Sequence, residues 1–376
     1  MKDFRWTHSR TLKSLKSSRL MMSLLLTGAI LLGLISLLPA SPGVEAKGRD
    51  RIKVIASNFP AYDFLRQIGG DRLDLSMLIA PGAESHSYEP SPRDLVKLAE
   101  ADLFVFTGGE GDAWVESILH TRSDDKPSLA MVDMVDLLDE ETVEGMEEDH
   151  DHDHDHDADH GHEHDEDHDH DHEHEDDHDH KHKDDHDQDH EEAESRRFSH
   201  SIDEHVWTDP NNAAKIAEAL CQALVDLDPD HADVYQDNTD HYLAELKDLD
   251  QAFANLVKHA KRHTIVVGDR FPLRYFVEAY KLDYYAAFPG CSTQGDASPQ
   301  TLTFLVDKVR EEKLPVVFHI ELSNEKLAKT IAEDTGAEVM LFHSCHNVSK
   351  EDFKAGVTYL DLMRKNLEAL DKALND

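Results

Sequence analysis

Eight short apolar runs, four on each side of one long helical stretch, constrain this chain more than any other feature in it. In the first half they are Val54–Ala56, Leu75–Ala80, Leu103–Thr107 and Leu129–Val132. In the second they are Thr264–Val267, Tyr284–Phe288, Val316–Ile320 and Glu338–Phe342. Helical patterns separate them, at Tyr62–Ile68, Pro92–Ala101 and Trp114–Leu119 in the first half and in the same manner in the second. Ser298-Pro299 opens one of these helices as N-cap and first residue, and Gly336 stops another. Such alternation predicts parallel sheets covered by helices on both faces. From Pro229 to about Ala260, Tyr235, Tyr242, Leu246, Leu249, Phe253 and Leu256 recur mostly three or four apart behind an Asp228-Pro229 cap. At 1.5 Å per residue this helix runs on the order of 45 Å, enough to lie along two lobes. The expected fold is α/β: two lobes, each a mostly parallel sheet flanked by helices, joined by one long helix. The expected boundaries are 51–228 for the first lobe, 229–260 for the connector and 261–376 for the second lobe.

Two segments fall outside this scheme. Lys2, Arg5, Arg10, Lys13, Lys16 and Arg19 precede a mostly apolar run from Met21 to Leu38, which Pro39 and Pro42 break. Val44-Glu45-Ala46 then offers small residues where a signal peptidase reads, so residues 1–46 are expected to be a cleaved secretory signal and the mature protein periplasmic. An uncleaved membrane anchor is the rival, because a run of that length just spans a bilayer. No cysteine closely follows the run, which argues against a lipid anchor. The second segment is the loop 139–198, inserted in the first lobe. The chain has 79 acidic and 38 basic residues and a net charge of −41. Between Asp139 and Glu192 lie 29 of the acidic residues against two lysines. So acidic a chain repels nucleic acid and anionic membranes. The loop holds His150, His152, His154, His156, His160, His162, His164, His168, His170, His172, His174, His178, His180, His182, His186 and His190, largely alternating with Asp or Glu. With almost no apolar residue it cannot anchor a fold, and it reads as a disordered tether that captures metal weakly at many sites. Its root-mean-square span is about 40 Å, taking ~5–6 Å × √n, so it can reach a cleft of its own chain.

The remaining candidate chemistry sits in loops at the carboxyl ends of strands, where such sheets collect ligands. His86 follows the strand ending at Ala80. His205, with Trp207 beside it, precedes the Asp209-Pro210 helix start. His343, Cys345 and His346 follow the last strand, and two imidazoles and a thiol so close together suit a borderline-soft metal such as zinc. Alone, a loop histidine is more often a solvated side chain. Cys221 faces the apolar side of its helix with Ala217, Leu220 and Leu224 and reads as packing. Cys291 and Cys345 both follow second-lobe strands, so a disulfide between them is possible in an oxidising compartment if their Cα atoms approach within about 7 Å. A thiolate ligand at Cys345 is the alternative.

The stretches Val54–Glu116 (with its Glu84-Ser85-His86-Ser87-Tyr88-Glu89-Pro90), Asp203–Leu220, Tyr235–Asp250 and Tyr359–Leu370 resemble the zinc/manganese solute-binding proteins of ABC transporters, the zinc-uptake component A family. The resemblance covers about Arg51 to Leu370 apart from the acidic loop. It implies a receptor outside the cytoplasm that holds Zn²⁺ between two lobes and delivers it to the membrane permease of an ABC importer. Manganese is the weaker candidate for the metal. Family histidines fall at His86 and His205. The third family histidine, which precedes Asp-Ala-Phe, falls at Gly268, which has no side chain to ligate with, and the fourth ligand falls at His343. The implied set is therefore His86, His205 and His343, with Glu321, His346 or water completing it in that order. Asp269 is nearer the lost ligand in sequence, but neighbouring Arg270 is placed to pair with it. The chain is expected to be monomeric and not an enzyme, since no metallohydrolase spacing such as His-Glu-x-x-His is present. A periplasmic zinc buffer without a transporter, or a manganese receptor, are the alternatives.

Overall fold

A computed structural model describes residues 51–84, 88–120, 122–123, 126–146, 202–290 and 297–376. The first lobe holds β1 (Ile52–Ala56), α1 (Phe59–Gly69), β2 (Leu73–Met77), α2 (Pro92–Glu100), β3 (Leu103–Phe106), α3 (Ala113–Leu119) and β4 (Ser128–Ala130). After the insertion the chain resumes with α4 (Pro210–Leu227) and the long α5 (Ala232–Lys258). The second lobe follows with β5 (Thr264–Phe271), α6 (Arg274–Tyr280), β6 (Asp283–Pro289), α7 (Pro299–Glu312), β7 (Val316–His319), α8 (Lys326–Thr335), β8 (Glu338–Leu341), α9 (Lys350–Ala355) and α10 (Tyr359–Asn375). Every strand pair is parallel, in the orders β2-β1-β3-β4 and β6-β5-β7-β8. This is the expected architecture, with α5 as its joining helix.

Side-chain alternation along the strands sorts the core into layers. Val54, Ala56, Leu103, Val105, Ile265, Val267, Val316 and Phe318 face one continuous apolar cluster that also takes in the buried stripe of α5 (Tyr235, Tyr242, Leu246, Leu249, Phe253, Val257) and much of α10. Their neighbours point the other way: Ile55, Phe104 and Phe106 into a cluster behind the first sheet, Val266 and Val317 into one behind the second. The two lobes thus share a single core along α5, which resists a wide hinge motion.

Local chemistry sets the helix starts. Asn58, Ser91, Asp209, Ser298, Ser349 and Thr358 each accept a backbone N–H at the start of a helix, and Ser91 and Thr358 complete capping boxes with Asp94 and Asp361. β5 is longer than the apolar run predicts. It continues past Val267 through a one-residue bulge, so that Val267 pairs with Ala286 but Arg270 with Phe288. The flanks of the insertion lie on the second lobe. The Leu138 N–H donates to the Tyr275 hydroxyl, Asp139 bridges to Ile202, and Gly145 packs where a Cβ would stand 2.1 Å from Phe304. Among the described residues no helix is long and apolar enough to cross a membrane. The expected leader, residues 147–198 of the expected loop, His86 and Cys291 lie outside the described residues, whereas residues 139–146 of that loop are described and Met146 is buried in the core.

Candidate metal site

His205 is presented by a short 3-10 turn, Val206–Thr208, that leads into α4. The turn is clamped to the second lobe: Trp207 Nε1 donates to the Ser344 carbonyl at 2.8 Å, and the Tyr359 hydroxyl donates to the Trp207 carbonyl at 2.7 Å. His205 itself is fully buried. Its backbone N–H donates to Asp203 Oδ1 at 2.8 Å, and its Nδ1 lies 3.1 Å from the same oxygen. Burial opposes protonation of this imidazole, but the charge and hydrogen bond of Asp203, with Glu204 and Glu140 adding to them, raise its pKa above the ordinary value. The contact leaves Nε2 as the nitrogen suited to a cation, the carboxylate–histidine pairing of many zinc sites. Gly290 makes the approach possible, since a Cβ there would stand 3.3 Å from Asp203 and 3.4 Å from His205 Cε1.

The second lobe contributes Glu321, at the end of β7, and His346, beyond β8. Glu321 is nearly buried and held rigidly. Its Oε2 accepts the Ser344 N–H at 2.7 Å, and its Oε1 accepts the Ser344 hydroxyl at 2.6 Å and the His346 N–H at 3.0 Å. The His346 ring lies 5.3 Å from that of His205 at an interplanar angle of 82°, with Trp207 packed 5.6 and 5.1 Å from the two rings. His205, Glu321 and His346 line one cleft with Ala83, Glu84, Arg270 and Gly290, with a cavity volume of about 30 Å³. Among the described residues, no three His, Cys, Asp or Glu side chains already converge tightly enough to hold a metal ion.

His343 does not line this cleft. Its Nδ1 accepts the Cys345 N–H at 2.9 Å, and its backbone is tied to Asn366 through bonds of 2.7 and 2.8 Å. Burial lowers its pKa, keeping the imidazole neutral, as that accepting role requires. Between the two histidines Cys345 has a φ of +64°, a left-handed conformation uncommon outside glycine, with His343 buried in the wall on one side of it and His346 in the cleft on the other. Cys345 is a free, fully buried cysteine. Cys345 takes no part in a disulfide, and Cys291, its possible partner, lies outside the described residues. Burial, reinforced by Glu321 and Asp63, pushes the Cys345 thiol well above its usual range, and Cys345 is not among the residues that line the cleft.

Gly268 is lost to the site for a steric reason as well as a chemical one. A Cβ there would meet the Ala328 backbone at 2.7 Å, on the side of β5 covered by α8. Past the bulge, Arg270 is the residue that reaches the cleft, where it pairs with Glu84 rather than Asp269. Asp203 and Arg270 were not singled out as site residues from sequence. A carboxylate two residues before a loop histidine was the available signal for the first, but a bulge leaves no mark that would have found the second.

The model of the family "Zinc-uptake complex component A periplasmic" matches residues 54–373. The chain is 29% identical over 330 residues to the "High-affinity zinc uptake system protein ZnuA" of Bacillus subtilis, covering 88% of this chain and 89% of that one. It is 27% identical over 322 residues to the "Zinc-binding lipoprotein AdcA" of Streptococcus pneumoniae, where the match spans 85% of this chain and 55% of AdcA. The crystal structure of the Zn(II)-bound ZnuA-like domain of AdcA superposes with a TM-score of 0.63 at 24% identity, over 87% of this chain and 100% of that domain. That likeness is one of fold.

Proposed function

This chain belongs to the zinc-uptake complex component A family, and from that premise we propose that it is an extracytoplasmic receptor that holds one Zn²⁺ between its lobes and hands it to the membrane permease of an ABC importer. The observation that carries the reading is one cleft lined by two imidazoles and a carboxylate from opposite lobes, His205 facing Glu321 and His346. An imidazole-rich set suits zinc, whereas manganese prefers more oxygen donors. His86 is the fourth donor in this reading. It comes two residues after Glu84, which itself lines the cleft. His343 acts from behind, its Nδ1 lying 3.6 Å from Glu321 Oε2. The histidine tether gathers zinc weakly and passes it inward, a monomeric chain suffices, and no reaction is catalysed. The leader directs export to the periplasm and is cleaved after Ala46.

X-ray absorption at the zinc edge tests the assignment. The zinc-loaded protein lacking Asp149–His190 should show several imidazoles with Zn–N near ~2.0–2.1 Å. The His346→Ala variant should lose one of them. A shell of oxygen donors alone would refute it. Against a buffer with no transporter stands the built cleft itself: loose storage has no need of an Asp203-oriented histidine or a Glu321 carboxylate held by three donors.

A further inference from the structure

Arg270 sits where a cation site has least use for it. A guanidinium stays charged at any physiological pH and has no lone pair to donate, yet it lines the same cleft as His205, Glu321 and His346. The bulge in β5 aims it there, and its side chain is only 18% exposed. Its two terminal nitrogens reach the two carboxylate oxygens of Glu84 at 3.4 and 3.3 Å, a fork-to-fork pair between the lobes.

Glu84 lies on a segment, the flap Ala80–Glu84, that the first lobe lays onto the second. Asn347 Nδ2 donates to the carbonyls of Ala80 and Ala83, both at 2.9 Å, and the Gly82 N–H donates to the Val348 carbonyl at 2.8 Å. No flap residue belongs to any of the three apolar clusters, whereas the lobes themselves share a continuous core. A segment held by polar contacts alone opens more readily than one packed into a core. Access to the cleft is therefore easier to control through the flap than through rotation of the lobes.

We propose that Arg270 is a positioning residue for the zinc site: paired with Glu84, it latches the Ala80–Glu84 flap across the cleft and slows release of the bound metal. The inference rests on this cleft being the zinc site. A purely electrostatic role has the opposite sign. Removing a positive charge beside a bound cation should hold the cation longer, whereas removing a latch should free it sooner.

The test is zinc release from the full chain loaded with one equivalent, mixed with excess chelator and followed by stopped flow. Arg270→Met and Glu84→Gln should each speed the slow phase about two- to fivefold, the range open to an ion pair in contact with solvent. The double variant should be no faster than the faster single, because both singles break the same contact. Arg270→Lys should fall between, keeping the charge but losing the two-point fork. Salt of about 0.5 M should bring the unaltered chain toward the variants. Release from Arg270→Met at or below the original rate, or additive effects in the double variant, would overturn the latch. His205→Ala, run alongside, should lose the slow phase altogether. If it retains the slow phase, zinc is held elsewhere and the assignment of the cleft falls, a result separable from failure of the latch alone.

Discussion

In the first lobe the sheet runs β2-β1-β3-β4 and in the second β6-β5-β7-β8, the same winding, yet the residues that reach the cleft arrive by different routes. The central strand β1 ends at Ala56 and feeds α1 at once, its Asn58 serving as N-cap and bonding Thr107 at 2.8 Å. The matching strand β5 continues through a bulge and delivers Arg270. In the second lobe Glu321 and His346 sit on turns that directly follow β7 and β8 and bond to each other. In the first lobe His205 comes from beyond the insertion, on a turn fixed by Trp207 and Tyr359 to the other lobe. Repetition of the fold has preserved the position of the cleft without preserving how its walls are furnished. A site assembled this way depends on how the two lobes are held together as much as on the ligands themselves.

Removing one proposed ligand from each lobe probes that dependence most strongly. His205→Ala and His346→Ala should each weaken zinc binding by more than the roughly 10–100-fold that loss of an outer-shell partner costs, measured by competition with a chromogenic chelator. If only one of them matters, the cleft does not hold the metal between the lobes. Asp203→Asn should fall within that 10–100-fold range, because it leaves the imidazole in place but removes the charge that sets its orientation. An unchanged affinity would mean that the turn alone orients His205.

The glycine in β5 sharpens the comparison through stability. Gly268→Ala drives a methyl toward the Ala328 backbone and should cost about 1–3 kcal/mol, as overpacking does, seen as a lower midpoint in thermal or urea unfolding. Gly268→His should unfold the lobe further instead of restoring a ligand, and a gain in zinc affinity would contradict that. The smallest effect is expected at α10, which ties the second lobe back to α5. Thr358→Ala should cost about 1 kcal/mol by breaking a capping box. The Thr358 hydroxyl holds the Asp361 carboxyl below its usual range, a depressed folded-state value. That part of the stability is present above the ordinary aspartate pKa near ~3.9 and fades as pH falls below it. The penalty should therefore shrink in urea melts repeated near pH 3, a value about one unit below that ordinary pKa.

Short continuous apolar runs made all eight strands legible, because burial on both faces of a sheet demands them, and apolar residues three or four apart did the same for the long helix. The strand ends shifted most where β5 bulges, since an extra residue leaves the hydrophobic pattern nearly intact. That His205 and Glu321 line the cleft was legible, His205 from its place before the Asp209-Pro210 helix start and Glu321 from its place after β7. That His346 and not His343 lines the cleft was not, since the chain reverses at a left-handed Cys345 that no residue type announces. Gly268 could be read as a missing ligand, but its tight packing against α8 depends on a contact between elements far apart in the chain.

Zinc titration calorimetry on residues 47–376 lacking Asp149–His190, with and without His346→Ala, tests most directly whether the cleft is the receptor site. The account predicts one tight zinc equivalent, weaker manganese binding, and loss of the tight equivalent in the variant. A tight site that survives His346→Ala, or a parent protein that binds no zinc tightly once the tether is gone, would contradict it and move the metal-binding function to the tether.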